Sequence, residues 1–543
     1  MQKDLPAADG GGPAGPWLSP AVAASVLAGL AGLAATAWHL ANNAAPPAWD
    51  DAWYLEVSFR LWQALKSGPL AFARAYADAF HTKAPLITLV PFPLYALFGT
   101  GERVAVWANL PLAGLAAWAW SRAASAWWSD HPDRNEAAAL GGALCALIPF
   151  SYGLSRLFLV ETLLCALLGL WAWRCAAGKP DDRWEGVRLG VLLGLGLLAK
   201  STFPLVAAGF AWSGRKRLLP HAKTALLVGF ALAATWYAWN FPYVAGFVWS
   251  ASFGHFAQDY GNASALAARL AWASSVVSSG LSWPLAAAMA ACGLAALVSR
   301  RELDVGAKAC LWGLAPLLVY AASANQEARL VAPLLPVIGL LAARAAFSFD
   351  RPAARRAAQA ALLAAGLWVC CDQTFLAGPA RALGWNGPPS SDPGWDRAGL
   401  VTAAAAAGGP DAVAAVGLEH RNLNANNLSC LAAASGLRLS FVSLGYAQQS
   451  VEAALIRLKD KGASVLVLVE GLPESELPVF LNRANQGVAL AASSGRLPAV
   501  EAGRVQLCAG VTAVVFKIGP SRAAPGALPA SGRKGGSTAG GSS

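Results

Sequence analysis

Two adjacent carboxylates, Asp50 and Asp51, stand in the run Trp49-Asp50-Asp51-Ala52, just past the first long apolar stretch of the chain. A carboxylate at a lipid–water boundary could act as general base toward an acceptor hydroxyl or amine, or could hold a divalent cation. An ordinary hydrated loop acid is the bland alternative. A third acid, Glu161, falls in Ser155-Arg156-Leu157-Phe158-Leu159-Val160-Glu161-Thr162, near one end of an apolar run. A charge at the centre of a span costs about 2.5 to 3.5 kcal/mol on insertion scales and usually marks a function. The competing reading is an ion pair with Arg156 that only orients the helix.

Basic residues recur at the same kind of position. Lys200 follows Gly194-Leu195-Gly196-Leu197-Leu198-Ala199 and precedes a helix break at Pro204. It could meet a phosphate as a point charge or simply snorkel to lipid headgroups. Lys83 and His81, in His81-Thr82-Lys83-Ala84-Pro85-Leu86, and Arg329 could likewise bind an anionic group. Acids and bases together suit a substrate with a lipid tail, a phosphate and a polar transferable group. No phosphate-binding loop, dinucleotide fingerprint or zinc motif is present, which disfavours cytoplasmic nucleotide-sugar chemistry.

The elements that must hold these residues are apolar helices. The 543 residues are 56% hydrophobic and 13% charged, against roughly 25% charged in soluble domains. The composition predicts a polytopic α-helical membrane protein. The net charge of +11 sits in short loops on alternating sides, which points to a membrane surface and not to nucleic acid. The run Ser19–Leu40 is long enough to span and has no clear cleavage site, so a signal peptide is not expected. Further spans are expected near 103–121, 137–153, 157–174, 186–200, 202–213, 223–240, 276–298, 308–323, 329–345 and 357–376, about eleven in all. The stretch 85–99 is short and carries three prolines, which predicts a re-entrant or interfacial segment. With basic loops inside, Asp50, Asp51, Lys83, Glu161, Lys200, Glu327 and Arg329 all fall on the outer face.

The expected organisation is a disordered N-terminus over 1–18 and a transmembrane catalytic domain over 19–378, with its first extracytoplasmic loop at 42–83. A soluble α/β domain over 385–519 and a disordered tail over 520–543 follow. Within the soluble part, strands are predicted at Ala412–Leu418, Leu437–Ser443, Ser464–Val469 and Val511–Ile518. Helices are predicted at Asn424–Ala434, Gln448–Lys461 and Ser475–Asn485. Asn422–Asn427 could bind a sugar, but the helix-cap reading is favoured. Cys430 and Cys508 could pair if this domain is extracytoplasmic; the other cysteines read as small hydrophobes in helices.

Four segments resemble the GT-C superfamily of polyprenyl-phosphate-sugar glycosyltransferases, which includes protein O-mannosyltransferases and lipid A aminoarabinose transferases. Asp50-Asp51-Ala52-Trp53-Tyr54 is similar to its D-E-A-x-Y loop motif, with Asp at the second position. His81 to Leu86, ending at Leu97-Phe98-Gly99, resembles the K-P-P-L segment, with Ala84 in place of the first Pro. Glu161-Thr162-Leu163 stands where D-x-P-L is usual. Gly194–Phe203 resembles G-L-A-x-L-x-K-x-x-F, and Glu327-Ala328-Arg329-Leu330 with Pro333 and Pro336 is a softer match to E-x-R-Y-L-x-P-x-x-P.

The resemblance covers approximately 20–376. It implies inverting transfer of a sugar from a polyprenyl-phosphate donor to a protein, lipid or glycan acceptor at the outer face of a bacterial inner membrane. By that resemblance Asp50 is the general base, and Asp51 and Glu161 position the acceptor. Lys83, Lys200, Arg329 and His81 hold the donor phosphate. Asp50 and Glu161 are also candidate ligands for a divalent metal ion. A transporter or flippase using the same acids for proton coupling is the rival reading.

Overall fold

The computed structural model describes residues 19–254, 257, 266–298, 303–323, 325, 327–376, 386–444, 450–473, 477, 482 and 484–519. Helices stand at every position expected to span. The first is α1 (Pro20–Asn42), opened by Ser19, whose hydroxyl accepts from the Val22 amide at 3.3 Å, and by Pro20 at the first helical position. The stretch after it folds into α2 (Asp50–Ser67) and α3 (Pro69–Ala77), followed by the short α4 (Leu86–Leu89) and α5 (Phe92–Phe98). The latter two lie where a re-entrant segment was expected, and together they are too short to span.

Next come α6 (Glu102–Trp107), α7 (Asn109–Trp127), α8 (Arg134–Leu147), α9 (Pro149–Ser155), α10 (Glu161–Ala177), α11 (Glu185–Ala199), α12 (Phe203–Leu218) and α13 (Ala222–Ser252). The bundle closes with α14 (Leu266–Ser275), α15 (Trp283–Val298), α16 (Val305–Leu314), α17 (Pro316–Ala322), a 3₁₀ turn at Ala328–Leu334, α18 (Leu335–Ala346) and α19 (Pro352–Cys371). This is a multi-pass helical membrane protein. By length and composition six helices qualify as spans, or up to eight if each bent pair is counted once.

The sequence reading gave about eleven spans. The difference has two sources. α10 and α11 are only 17 and 15 residues long. Residues Phe203–Ser252 count as one stretch although a 3₁₀ turn at Leu219–His221 divides them.

Close helix crossings rest on small residues. A Cβ added at Gly209 of α12 would clash with the Trp312 carbonyl oxygen on α16, and one at Gly313 with the Phe210 ring. These reciprocal contacts let two backbones approach where lipid gives no hydrophobic drive.

The chain divides into two compact units, Met1–Arg397 with His420–Arg438, and Ala398–Glu419 with Leu439–Ser543. The second unit holds a five-stranded sheet of order β2-β1-β3-β5-β4. Its strands are β1 (Val413–Val416), β2 (Ser440–Ser443), β3 (Val465–Glu470), β4 (Ala499–Cys508) and β5 (Val511–Ile518). β2, β1 and β3 run parallel, while β5 and β4 are antiparallel.

Four strands fall where the sequence predicts them. β4 was not expected, because Glu501, Gly503 and Arg504 hide its alternation; it has a register shift at Glu501/Gly503. The predicted helix at Ser475–Asn485 lies largely outside the described residues, and a helix is present at Asn485–Ser493.

The helix Ala425–Ala434 belongs to the first unit and packs on α2, with Gln63 Nε2 donating to the Ala433 carbonyl at 2.7 Å. Asn424 caps it through a reciprocal pair with Asn427, each side chain accepting from the other's amide at 3.0 Å, as the favoured cap reading anticipates. Cys430 and Cys508 are both free thiols, which corrects the pairing considered for them. Cys430 is buried in this helix beside Glu102.

Gly209→Val is expected to lower the melting temperature of detergent-solubilised protein by several degrees, since overpacking costs about 1–3 kcal/mol. Gly246→Ala, where an added Cβ meets nothing within 4 Å, should leave it unchanged.

Candidate active site

Asp50 is the first residue of α2, directly after Trp49, whose φ of 50° lies in the left-handed region. That turn aims the first carboxylate off the helix start. Lys83 Nζ lies 2.6 Å from Asp50 Oδ1, and Arg329 Nη2 lies 2.6 Å from Asp50 Oδ2. Both carboxylate oxygens are therefore held by cations. Burial alone would push the Asp50 carboxyl up, but Lys83 and Arg329 outweigh it and hold it well below the usual carboxylate range.

Lys83 is further boxed by aromatic rings, its Nζ 4.7 Å from the centre of Trp53 and 5.5 Å from that of Tyr54. Arg329 reaches the site from the 3₁₀ turn before α18 and also pairs with Glu327.

A second pair stands at the start of α10. Lys200 Nζ donates to Glu161 Oε1 at 3.1 Å. Glu161 is 3% exposed, and its Oε2 has no hydrogen-bond partner among the described residues. Lys200 ends α11 in extended conformation, and Phe203 then packs back over Gly196. The two pairs feel one another: Arg329 interacts electrostatically with Glu161, and Glu327 with Lys200. Tyr54 lies among them; its burial, with Asp50 and Glu161 nearby, pushes the phenol up and keeps it protonated. Arg156 does not take the orienting role considered for it. It turns to Thr374 Oγ1, at 2.5 Å, and to the carbonyls of Asn386 and Gly387.

The structure thus joins Asp50, Lys83, Arg329, Glu161 and Lys200, and leaves two expected residues outside that group. Asp51 points the other way. It is 9% exposed, and its Oδ1 accepts from the Phe158 amide at 2.7 Å, tying α2 to the α9–α10 connection. Burial pushes its carboxyl up to about 7 despite that hydrogen bond. His81 turns to Asn240, with its Nδ1 2.8 Å from the amide oxygen.

Asn240 and Trp236 of α13, which contact this loop, were not singled out in the sequence. An amide in the middle of an apolar helix was the available signal.

The metal reading of Asp50 and Glu161 does not fit the donor set. Each carboxylate already faces a basic side chain. Among the described residues no three His, Cys, Asp or Glu side chains group as metal ligands. A divalent cation would have to displace Lys83 and Arg329 to reach Asp50.

No family model matches the chain, and no curated relative does. Solved structures do. The backbone matches ArnT from Cupriavidus metallidurans in the apo state with a TM-score of 0.57 at 13% identity, over 93% of this chain and 100% of that one. The chain has the ArnT fold. ArnT bound to undecaprenyl phosphate matches with a TM-score of 0.53 at 16% identity, over 94% and 99% of the two chains. The Archaeoglobus fulgidus oligosaccharyltransferase in complex with Zn and sulfate matches at 0.53 and 13% identity, over 82% and 67%. The chain itself carries what the sequence led us to expect, a helical bundle and a small sheet-containing unit.

Asp51 yields a pH test. Unfolded, its carboxyl loses the proton near pH 4; folded, it does so near 7. Between those values the folded state holds more protons, so this group's share of stability falls as pH rises from about 4 to 7 and is flat above. Asp51→Asn keeps an acceptor for the Phe158 amide and removes the titration. Melting curves across that window should therefore slope less for the variant than for the wild type.

Proposed function

We propose that this chain is a glycosyltransferase that moves a sugar from a polyprenyl-phosphate donor to an acceptor hydroxyl or amine at the outer face of a bacterial inner membrane. The acceptor is a glycan, a lipid or a protein, and transfer inverts the anomeric centre. The observation that carries this reading is Asp50 held between Lys83 and Arg329 at 2.6 Å each, at the start of a helix beside an apolar bundle. The match to ArnT bound to undecaprenyl phosphate supports it.

In this reading the acceptor oxygen or nitrogen attacks the anomeric carbon, and the bond from that carbon to the phosphate oxygen breaks. The phosphate leaves with the electron pair. Asp50 takes the acceptor's proton, on the face opposite the leaving group. Lys83, Arg329 and Lys200 meet the charge that develops on the departing phosphate. Glu161, fixed by Lys200, positions the acceptor or the sugar. Asp51 supports the site by holding Phe158 and does not touch the reacting atoms.

The ion pairs add an order to these events. With both oxygens tied to cations, Asp50 is a weak base. A donor phosphate competes for the same Lys83 and Arg329, and as it draws them off, Asp50 regains basicity. The base is therefore switched on by the donor it serves.

Purified protein in lipid, supplied with a panel of polyprenyl-phosphate sugars and a mixed acceptor extract, should release free polyprenyl phosphate in an acceptor-dependent way. Asp50→Asn should cut that release by a factor of about 100 or more. It should also bind plain undecaprenyl phosphate more tightly than wild type, because the cations lose their competitor. Near-normal transfer by Asp50→Asn would remove it as the base. Failure of every donor, together with flipping of one in proteoliposomes, would favour the transporter reading.

A further inference from the structure

One turn of α13 carries three polar side chains aimed at the backbone of the two segments that present Lys83 and Lys200. Trp236 Nε1 donates to the Ala79 carbonyl at 3.1 Å. Asn240 Nδ2 donates to the Ala77 carbonyl at 2.8 Å and to Trp236's own carbonyl at 3.1 Å. Those two acceptors fix the amide's orientation, so its Oδ1 accepts, and His81 Nδ1–H is the donor across 2.8 Å. On the flank of the same turn, Tyr237 Oη donates to the Leu197 carbonyl at 3.0 Å, in the last turn of α11 before Lys200. Ala84, next to Lys83, packs in one apolar cluster with Leu198, Trp236 and Val244.

Two features show that this is more than ordinary packing. Asn240 is 1% exposed in an apolar helix, where an amide is costly unless every polar atom is matched. Here the carbonyl and both N–H groups are matched, all but one of those bonds to the residue 77–81 segment. That segment needs the support. Phe80 and His81 have φ of 59° and 58°, a left-handed pair of non-glycine residues immediately before Thr82 and Lys83. Such backbone persists only where the surroundings over-determine it.

We infer that Trp236, Tyr237 and Asn240 form a platform that positions both lysines at the donor phosphate, and that His81 serves this platform without touching the phosphate. The inference rests on the proposed reading of Lys83 and Lys200 as donor-phosphate contacts. Trp236, Tyr237, Asn240 and His81 are positioning residues: they act through the backbone that carries the lysines. A lysine has a long flexible stem and three donors but no fixed geometry. Its placement must come from the chain at its root, and α13 supplies that for two lysines from one helical turn.

The test is equilibrium binding of radiolabelled undecaprenyl phosphate to the full-length protein in nanodiscs. Asn240→Ala and His81→Ala are each expected to weaken binding about tenfold, with the double variant no weaker than either single one. In a Lys83→Ala background both effects should vanish, since the residue they act through is gone. Tyr237→Phe removes only a hydroxyl and is the milder probe. Its effect should vanish in Lys200→Ala and persist in Lys83→Ala.

A loss from Asn240→Ala that is undiminished in Lys83→Ala would make Asn240 a general structural residue and overturn the inference. Additive losses from His81→Ala and Asn240→Ala would make His81 a direct phosphate ligand and overturn its part. If Asn240→Ala does not fold, Tyr237→Phe decides alone: an unchanged affinity, or a loss indifferent to Lys200, rejects the platform. If Lys83→Ala and Lys200→Ala themselves leave affinity unchanged, the phosphate reading of the lysines fails, and the platform fails with it.

Discussion

Asp50, Glu161 and Glu327 meet Lys83, Lys200 and Arg329 at the edge of an apolar helical bundle, and each charge is tolerable there because of the others. A lone carboxylate so placed would take up a proton; a lone lysine would lose one or withdraw to the headgroups. Much of the surrounding architecture follows from this mutual dependence. The helix starts at Asp50 and Glu161, the break at Lys200 and the 3₁₀ turn at Arg329 are places where regular helix gives way, so side chains from distant parts of the chain can converge. The partners come from α2, the 78–85 loop, α10, the end of α11 and the turn before α18, so the cluster also ties those elements together.

The balance of the cluster matters for the chemistry it is proposed to perform. Among the described residues of the cluster three acids oppose three bases, leaving no cation there in surplus to attract a phosphate. Attraction must come from exchange: an anion that enters takes a partner from a carboxylate already present. Selectivity for a ligand with strong, concentrated charge follows naturally, because a weakly charged one cannot compete with Asp50 at 2.6 Å.

Much of this was legible in the sequence, and the parts that were not have physical reasons. The helical class was written in the apolar runs, and the charged residues at their ends named most of the cluster. The pairing inside it was not legible. Asp50 and Arg329 are far apart in sequence, and only folding brings them together. Asp51 shows the opposite limit. Adjacent acids read as a pair, yet successive residues at a helix start point in different directions, so one met the cations while the other capped a backbone amide. Asn240 escaped notice because one amide in an apolar helix carries no motif. β4 escaped because an edge strand with one exposed face and a bulge at Glu501/Gly503 lacks clean alternation. Apolar runs alone count α10 and α11 as spans, whereas helices of 17 and 15 residues fall below the length that qualifies one.

The helix Ala425–Ala434 has a wider consequence. The chain leaves β1, contributes this helix to the bundle's unit against α2, and only then returns to form β2. The sheet is thus not a bead at the end of a string. Its two adjacent parallel strands are separated by a piece of another body, so the sheet closes its order only after the chain has visited that body. No single cut in the chain frees the whole sheet from the bundle without also removing the helix that covers α2.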